Sequence, residues 1–421
     1  MARYLIPLGE IMNFNTGDTA WIIVAAALVL LMTPGLAFFY GGMVRSKNVL
    51  GMLAQNFVTM GVVSVLWIMG VYSLAFNGKG KWIGDLHQFG LNHIWQQATG
   101  FESLTIPPLV FCAFQLMFAI ITPALITGGT ADRLKFGSWT LFSAIWLVIV
   151  YAPVAHWVFS PSGWLFKLGA LDFAGGTVVH ANAGAAALAL VLVLGKRKGW
   201  PSQRFRPHNV PFVLLGAGLL WFGWFGFNAG SALSASTLSA FAFVNTNTAT
   251  GAALLGWLIV EKVRDGHATT LGAASGAVAG LVAITPACGF VSPMGSIAIG
   301  FLAGVICALA VGLKNKFKFD DALDVVAVHL IGGVLGALTI GFFATKMTNS
   351  AGANGIFYGG SWSLLQHQAV AVLAVVAYSF IVTYILGKIL DKTIGLRISD
   401  EAEYSGLDLS QHGETAYETV N

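Results

Sequence analysis

Eleven runs of apolar residues along this chain reach the length needed to cross a lipid bilayer, and no other feature restricts the possible folds so sharply. A transmembrane helix needs about 20 predominantly apolar residues. The runs fall at residues 19–42, 49–76, 107–130, 137–159, 174–195, 210–233, 238–260, 268–286, 290–313, 325–346 and 367–390. Their number and length predict an all-α polytopic membrane protein of eleven transmembrane helices. Composition excludes the soluble alternative, because 56% of the residues are hydrophobic and 10% charged, against roughly 25% charged in soluble domains. The 51 glycines, set against 12 prolines, suit helices that approach closely through small residues, since lipid supplies no hydrophobic drive between them.

Eleven spans place the two ends on opposite sides, so alternate loops can be compared for positive charge. One side holds Arg45, Lys47, Arg133, Lys135, Lys196, Arg197, Lys198, Arg204, Arg206, Lys262, Arg264, Lys314, Lys316, Lys318, Lys388, Lys392 and Arg397. The other keeps Arg3, Lys79, Lys81, Lys167 and Lys346. This asymmetry puts the N-terminus outside and the C-terminus in the cytoplasm, with a membrane domain over 1–390 and a cytoplasmic tail over 391–421. The net charge of +4 therefore reflects topology and does not point to nucleic acid. The opening stretch lacks the apolar core and cleavage site of a signal peptide, so the first span is expected to serve as the insertion signal. Cys112, Cys288 and Cys307 lie in apolar stretches and suggest neither a disulfide framework nor a metal cluster. The long outer loop, 77–106, carries Trp82, Trp95, His87 and His93, and no stretch has the size of a catalytic domain. No nucleophile, base and orienting residue cluster together, so neither an enzyme nor a cofactor is expected.

Of nine histidines, His180 and His329 fall well inside spans, while His156 and His367 sit near span ends. Ionisable groups inside a membrane are costly and mark functional sites by default. The two are also related: DFAGGTVVHANAG (172–184) and DVVAVHLIGGVLG (324–336) each place an aspartate, a histidine and small residues in order. Spans five and ten run in opposite directions, as inverted five-helix repeats require. Asp172 reads foremost as a helix N-cap, standing about 12 Å along the axis from His180, and Asp320, Asp321 and Asp324 read as a solvated acidic loop. Counted by depth, His180 lies six residues into its span and His329 four into its own from the opposite side. They meet only if the helix starts are drawn into the membrane, where irregular backbone is tolerated when it lines a cavity.

Aromatic residues accompany the histidines. FCAFQLMF (111–118) sets Phe114 and Phe118 on one face of span three with Gln115 one residue round, and WFGWFGFNAGS (221–231) brings Trp221, Trp224, Phe227 and Ser231 into span six. Most membrane aromatics pack or anchor. Phe227 and Ser231, however, share a face near the outer end, where a ring and a hydroxyl can hold a half-hydrated cation.

Taken in order, these strings resemble the ammonium transporter (Amt/Rh) family, in its Amt branch. The resemblance runs through TPGLAFFYGGMVRSKN (33–48), DFAGGTVVHANAG, RPHN (206–209), GWFGFNAGS (223–231), ITPACGFV (284–291), DVVAVHLIGG (324–333) and GLRISDEAEYSGLDLSQHGETAY (395–417). It implies a homotrimer in the cell membrane with one pore through each subunit. The implied substrate is ammonium or ammonia, with methylammonium as analogue, and the implied cytoplasmic partner is a PII-type regulatory protein. It further implies recruitment of ammonium at Phe118 and Ser231 near Asp172, a gate of Phe118 and Phe227, and a pore pair of His180 and His329 beside Trp224. One position departs from the pattern: Phe159 stands where many members carry a tryptophan, three residues after His156. A phenylalanine holds a cation more weakly, and Trp157 and Trp164 are candidates to replace the missing indole. A potassium-type channel would need a carbonyl filter or acidic ring that these spans lack. An ammonium sensor signalling through the tail is the other reading.

Overall fold

The computed structural model describes residues 14–203 and 205–417. The opening stretch with Arg3, together with Arg204 and the last four residues, lies outside them. Ten helices are long and apolar enough to cross a membrane, and an eleventh is shorter. In chain order they are α1 (Thr16–Met43), α2 (Ser46–Phe76), α3 (Pro108–Thr130), α4 (Phe136–Leu168), α5 (Gly176–Leu194), α6 (Val210–Gly230), α7 (Thr237–Asp265), α8 (Thr270–Ile284), α9 (Pro293–Phe317), α10 (Val326–Phe343) and α11 (Ser363–Thr393). A short α12 (Asp400–Ser405) follows in the tail. Side-chain caps fix several starts, with Asn15, Asn209, Ser236, Thr269 and Ser292 each accepting a backbone N–H of the first turn.

The eighth span is the shortest. Expected over 268–286, it is a helix of 15 residues, about 22 Å long and short of the ~30 Å hydrocarbon layer. Most of its residues are buried, so it is matched to protein neighbours and not to lipid. The chain continues as a compact turn whose polar groups find partners inside the molecule. Asn245 Nδ2 donates to Cys288 O and Val291 O, each at 2.8 Å, and Thr345 N donates to Phe290 O at 2.8 Å. Backbone of this kind survives at depth because it is satisfied within the protein.

Two crossings organise the bundle. In the first, α1 and α6 run antiparallel along a seam of glycines, from Gly230 against Ala25 at one end to Gly42 against Asn209 and Val213 at the other. A Cβ placed on Gly216 would sit 2.2 Å from Phe39 N, so only glycine permits this approach. In the second, α5 meets α10. Gly184, four residues after His180, takes Leu330 N, and Gly333, four residues after His329, takes Ala181 N; an added Cβ would lie 2.3 Å and 2.8 Å from them. Each helix thus presents the same residue to the same place on the other, which is the contact of an inverted repeat about a twofold axis. Both crossings pair a helix of the first five with its counterpart in the second five, and α11 packs outside against α5.

Candidate functional site

The depth difficulty is resolved at the second crossing. α5 and α10 both open with wide turns, over Gly176–Ala181 and Val326–Ile331, and His180 N donates five residues back to Gly175 O at 3.1 Å. Such widened turns recur at functional sites. They carry the two histidines to one level, where Nδ1 of His180 lies 3.2 Å from Nδ1 of His329. Both residues are buried, and Nε2 of His180 has no partner among the described residues. A single proton between the two Nδ1 atoms fixes both tautomers: the ring that donates at Nδ1 accepts at Nε2, and its neighbour does the reverse. The pair therefore offers one acceptor and one donor.

Trp224 stacks on His180 at 5.2 Å between ring centroids, and its Nε1 donates to Thr285 Oγ1 at 2.8 Å. That bond fixes the indole plane. Next along α6, Phe227 stacks on Phe118 of α3 at 4.2 Å while its ring stays within 6.1 Å of His180. Phe118 also lines a cavity of about 180 Å³ whose walls include Ser231, Asp172, Phe159 and Gln115. The four residues expected at a recruitment site therefore share one chamber, and the stacked rings lie between it and the histidines. Ser231 gives its proton to Phe227 O at 2.8 Å, which leaves its oxygen lone pairs for a donor in the chamber.

Asp172 is a cap, as its place in the sequence suggested. Its carboxylate accepts from the backbone of Gly175 at 2.7 Å, and of Gly176 and Thr177 at 2.8 Å each, and from the Thr177 hydroxyl. Desolvation raises this carboxyl above its usual range, against the pull of those bonds. Trp157 and Trp164 do not replace an indole at Phe159. Trp157 Nε1 donates to Trp82 O at 2.6 Å, and both rings pack on Trp82, outside the chamber.

The acidic loop before α10 is not solvated. Asp320 and Asp321 are each 1% exposed, because Arg133, Arg197 and Lys314 close over the loop. Arg197 forks onto Asp320 at 2.9 and 2.8 Å and reaches Asp132 at 3.1 Å. Burial pushes the Asp320 carboxyl up, but Arg197, with Arg133 nearby, outweighs it and holds the group below its usual range. Asp321 accepts from Val326 N at 2.7 Å, and burial pushes its carboxyl up to about 6, with the charge of Asp324 adding to the effect. Like Asp172, it stands eight residues before its histidine and caps the fifth residue after itself. Asp321, rather than Asp324, is therefore the counterpart of Asp172; Asp324 pairs with Lys314 at 2.6 Å.

The tail is fastened to the same side of this chain. Glu403 binds Arg397 Nη2 at 2.6 Å and Lys198 N at 2.7 Å. Asp408 accepts from Gly51 N at 2.8 Å, and Leu407 N donates to Asn48 Oδ1 at 2.9 Å. These contacts join the tail to loops of its own chain.

A family model described as Ammonium Transporter Family matches residues 20–417. The chain is 55% identical to an ammonium transporter of Mycobacterium tuberculosis, over 96% of this chain and 90% of that one. It is 49% identical to an ammonium transporter of Bacillus subtilis, over 96% and 98%. Among solved structures, Mep2 of Candida albicans superposes with a TM-score of 0.87 at 37% identity, covering 96% of this chain and 91% of that one. A match over nearly the whole length, in sequence and in three dimensions, settles the lineage: this multi-pass membrane protein belongs to the Ammonium Transporter Family.

Proposed function

We propose that the chain moves ammonium across a membrane by recruiting the cation in the outer chamber, separating it from a proton and passing ammonia through an apolar pore. The observation that carries this reading is the order of groups: Ser231 and Phe118 at the chamber, stacked Phe118 and Phe227 beneath, and the His180–His329 pair below them. Ser231 Oγ accepts an N–H of ammonium while the ring of Phe118, with that of Phe159, holds its charge. Below the rings, the N–H bond breaks heterolytically. Ammonia keeps the electron pair and moves on, and the proton goes to the accepting nitrogen of the histidine pair to be carried separately. Selectivity follows, because potassium has no proton to release and meets the full cost of entering an apolar passage.

In this reading the N-terminus faces outside, residues 1–390 form the membrane domain and 391–421 the cytoplasmic tail. The working assembly is a homotrimer with a pore in each subunit, and the cytoplasmic face is where a PII-type protein docks. Solid-supported membrane currents from purified protein in liposomes, with ammonium and methylammonium against potassium, test the reading. Ammonium currents without potassium currents are expected, and His180→Ala or His329→Ala abolishes or deregulates them. Full selective transport by a doubly apolar variant would sink the proton relay.

A further inference from the structure

The turn that joins α6 to α7 closes the chamber on the side of Ser231. It runs over 231–236, and within it Leu233 lines the chamber with a φ of +53°. A residue that carries a Cβ is disfavoured in this left-handed region, because the Cβ crowds the carbonyl oxygen that follows. Such a conformation persists where the surroundings hold it. Inside the turn, Leu233 N donates to Gly230 O at 2.9 Å, and the Ser234 hydroxyl donates to Ser236 Oγ at 2.9 Å. These bonds shape the turn but do not fix it to the rest of the bundle.

One contact does. Among the described residues, the hydrogen bond from Ala235 N to Asp18 Oδ1, at 2.8 Å, is the only one that ties residues 232–236 to a helix other than α6 and α7. Asp18 stands in the first turn of α1 and is buried. Its own backbone N–H donates to Asn15 Oδ1 at 3.0 Å. Its second carboxylate oxygen accepts the hydroxyl of Thr105, and Asn15 N closes the ring on Thr105 O at 2.8 Å. The carboxylate is thus anchored by α1 and by the segment that enters α3 before it reaches the turn. Close by, Trp21 Nε1 donates to Ala229 O at 3.4 Å, so α1 also holds the end of α6 from which the turn departs.

We propose that Leu233 limits the size of the cation the chamber receives, and that Asp18 is a positioning residue that holds Leu233 in place as a wall. A tetrahedral cation that gives one N–H to Ser231 presents its other three substituents to the remaining walls. Leu233, two residues further along the same turn, is one of them, with Phe118 and Phe159 among the others. Hydrogen atoms fit against the leucine, whereas a longer N-alkyl group competes with it for the same space. The inference rests on the recruitment reading above and adds to it the group that sets the substrate's size.

Uptake of labelled methylammonium into liposomes holding the full-length protein, competed by unlabelled ammonium or by ethylammonium, tests it. The ratio of the two inhibition constants, ethylammonium over ammonium, measures size selectivity, and any general loss of activity cancels from it. Leu233→Ala is expected to lower the ratio about tenfold, the scale on which a pocket discriminates a methylene. Asp18→Ala should lower it at least about threefold, and should add little in the Leu233→Ala background, where the side chain it places is gone. Asp18→Asn should keep the wild-type ratio, because its Oδ1 accepts from Ala235 N and its Nδ2 donates to the Thr105 oxygen. An unmoved ratio in Leu233→Ala overturns the size limit. A ratio unmoved in Asp18→Ala, or lowered as far in Asp18→Asn, overturns the positioning role. Should Asp18→Ala fail to fold, Thr105→Val, which frees the carboxylate on one side, decides in its place: a lowered ratio supports the clasp and an unmoved one overturns it. A wild type that takes up no methylammonium refutes the transport reading instead.

Discussion

The starts of α5 and α10 are built on one plan and placed in opposite surroundings. Each has an aspartate eight residues before its histidine, a wide first turn, and a glycine four residues after the histidine that admits the other helix. Asp172 opens on a chamber, whereas Asp321 is 1% exposed and lies against Lys314. The shared part is backbone geometry, which brings two imidazoles together. The difference is solvent access: one end opens on a chamber, and the other is a packed floor.

The plan itself breaks most severely at its glycines. Gly184→Val and Gly333→Val each drive a side chain into the backbone of the partner helix. Each should cost more than about 3 kcal/mol, with equal loss of monodisperse protein on size exclusion; one variant behaving normally would break the twofold equivalence. The caps differ by what they hold. Asp172→Ala orphans at least three backbone donors, for a loss of about 3 kcal/mol and a roughly tenfold higher KM for methylammonium. Asp321→Ala should cost about 1–2 kcal/mol in thermal unfolding and leave KM unchanged. A KM effect of equal size at both would show that the sealed end also recruits.

Acidity sharpens the same contrast. A carboxyl raised to about 6 in the folded protein binds more protons there than in the unfolded chain. Its stabilising contribution is therefore complete below about pH 4 and is lost as pH rises through about 6. Measured against Asp321→Asn by denaturant unfolding, the stability of the wild type should fall across that interval by about 3 kcal/mol; a parallel pair of curves would mean Asp321 is not sealed. The smallest effect is expected at the chamber wall, where Phe159→Trp should lower the KM for methylammonium two- to fivefold, about 0.5–1 kcal/mol, with kcat unchanged.

The spans and the two histidines were legible because hydropathy and a misplaced ionisable group are local signals. The rest depended on contacts far apart in sequence. Three aspartates within five residues, Asp320, Asp321 and Asp324, compete for the role of counterpart to Asp172, and only the eight-residue spacing to the histidine, read with the hydrogen bond to Val326 N, selects Asp321. The length of α8 was not legible, because its buried turn over 285–291 is as apolar as a helix facing lipid. His156 looked like one more polar residue near a span end, since the two carbonyls its ring faces lie 81 and 76 residues away. Trp157 and Trp164 were credible substitutes for an indole at Phe159 until their packing on Trp82 was visible.

The carboxylate of Asp408 on Gly51 N has a consequence for biosynthesis. The amides that open α2 are made early, yet the side chain that covers Gly51 N is joined to the chain 357 residues later. A ribosome therefore delivers the second helix with its first turn unfinished, and the start of the bundle closes only when the tail returns to it. A chain halted before residue 408 would carry every membrane span and still leave that helix end open, a mark by which a cell could tell a partial product from a finished one.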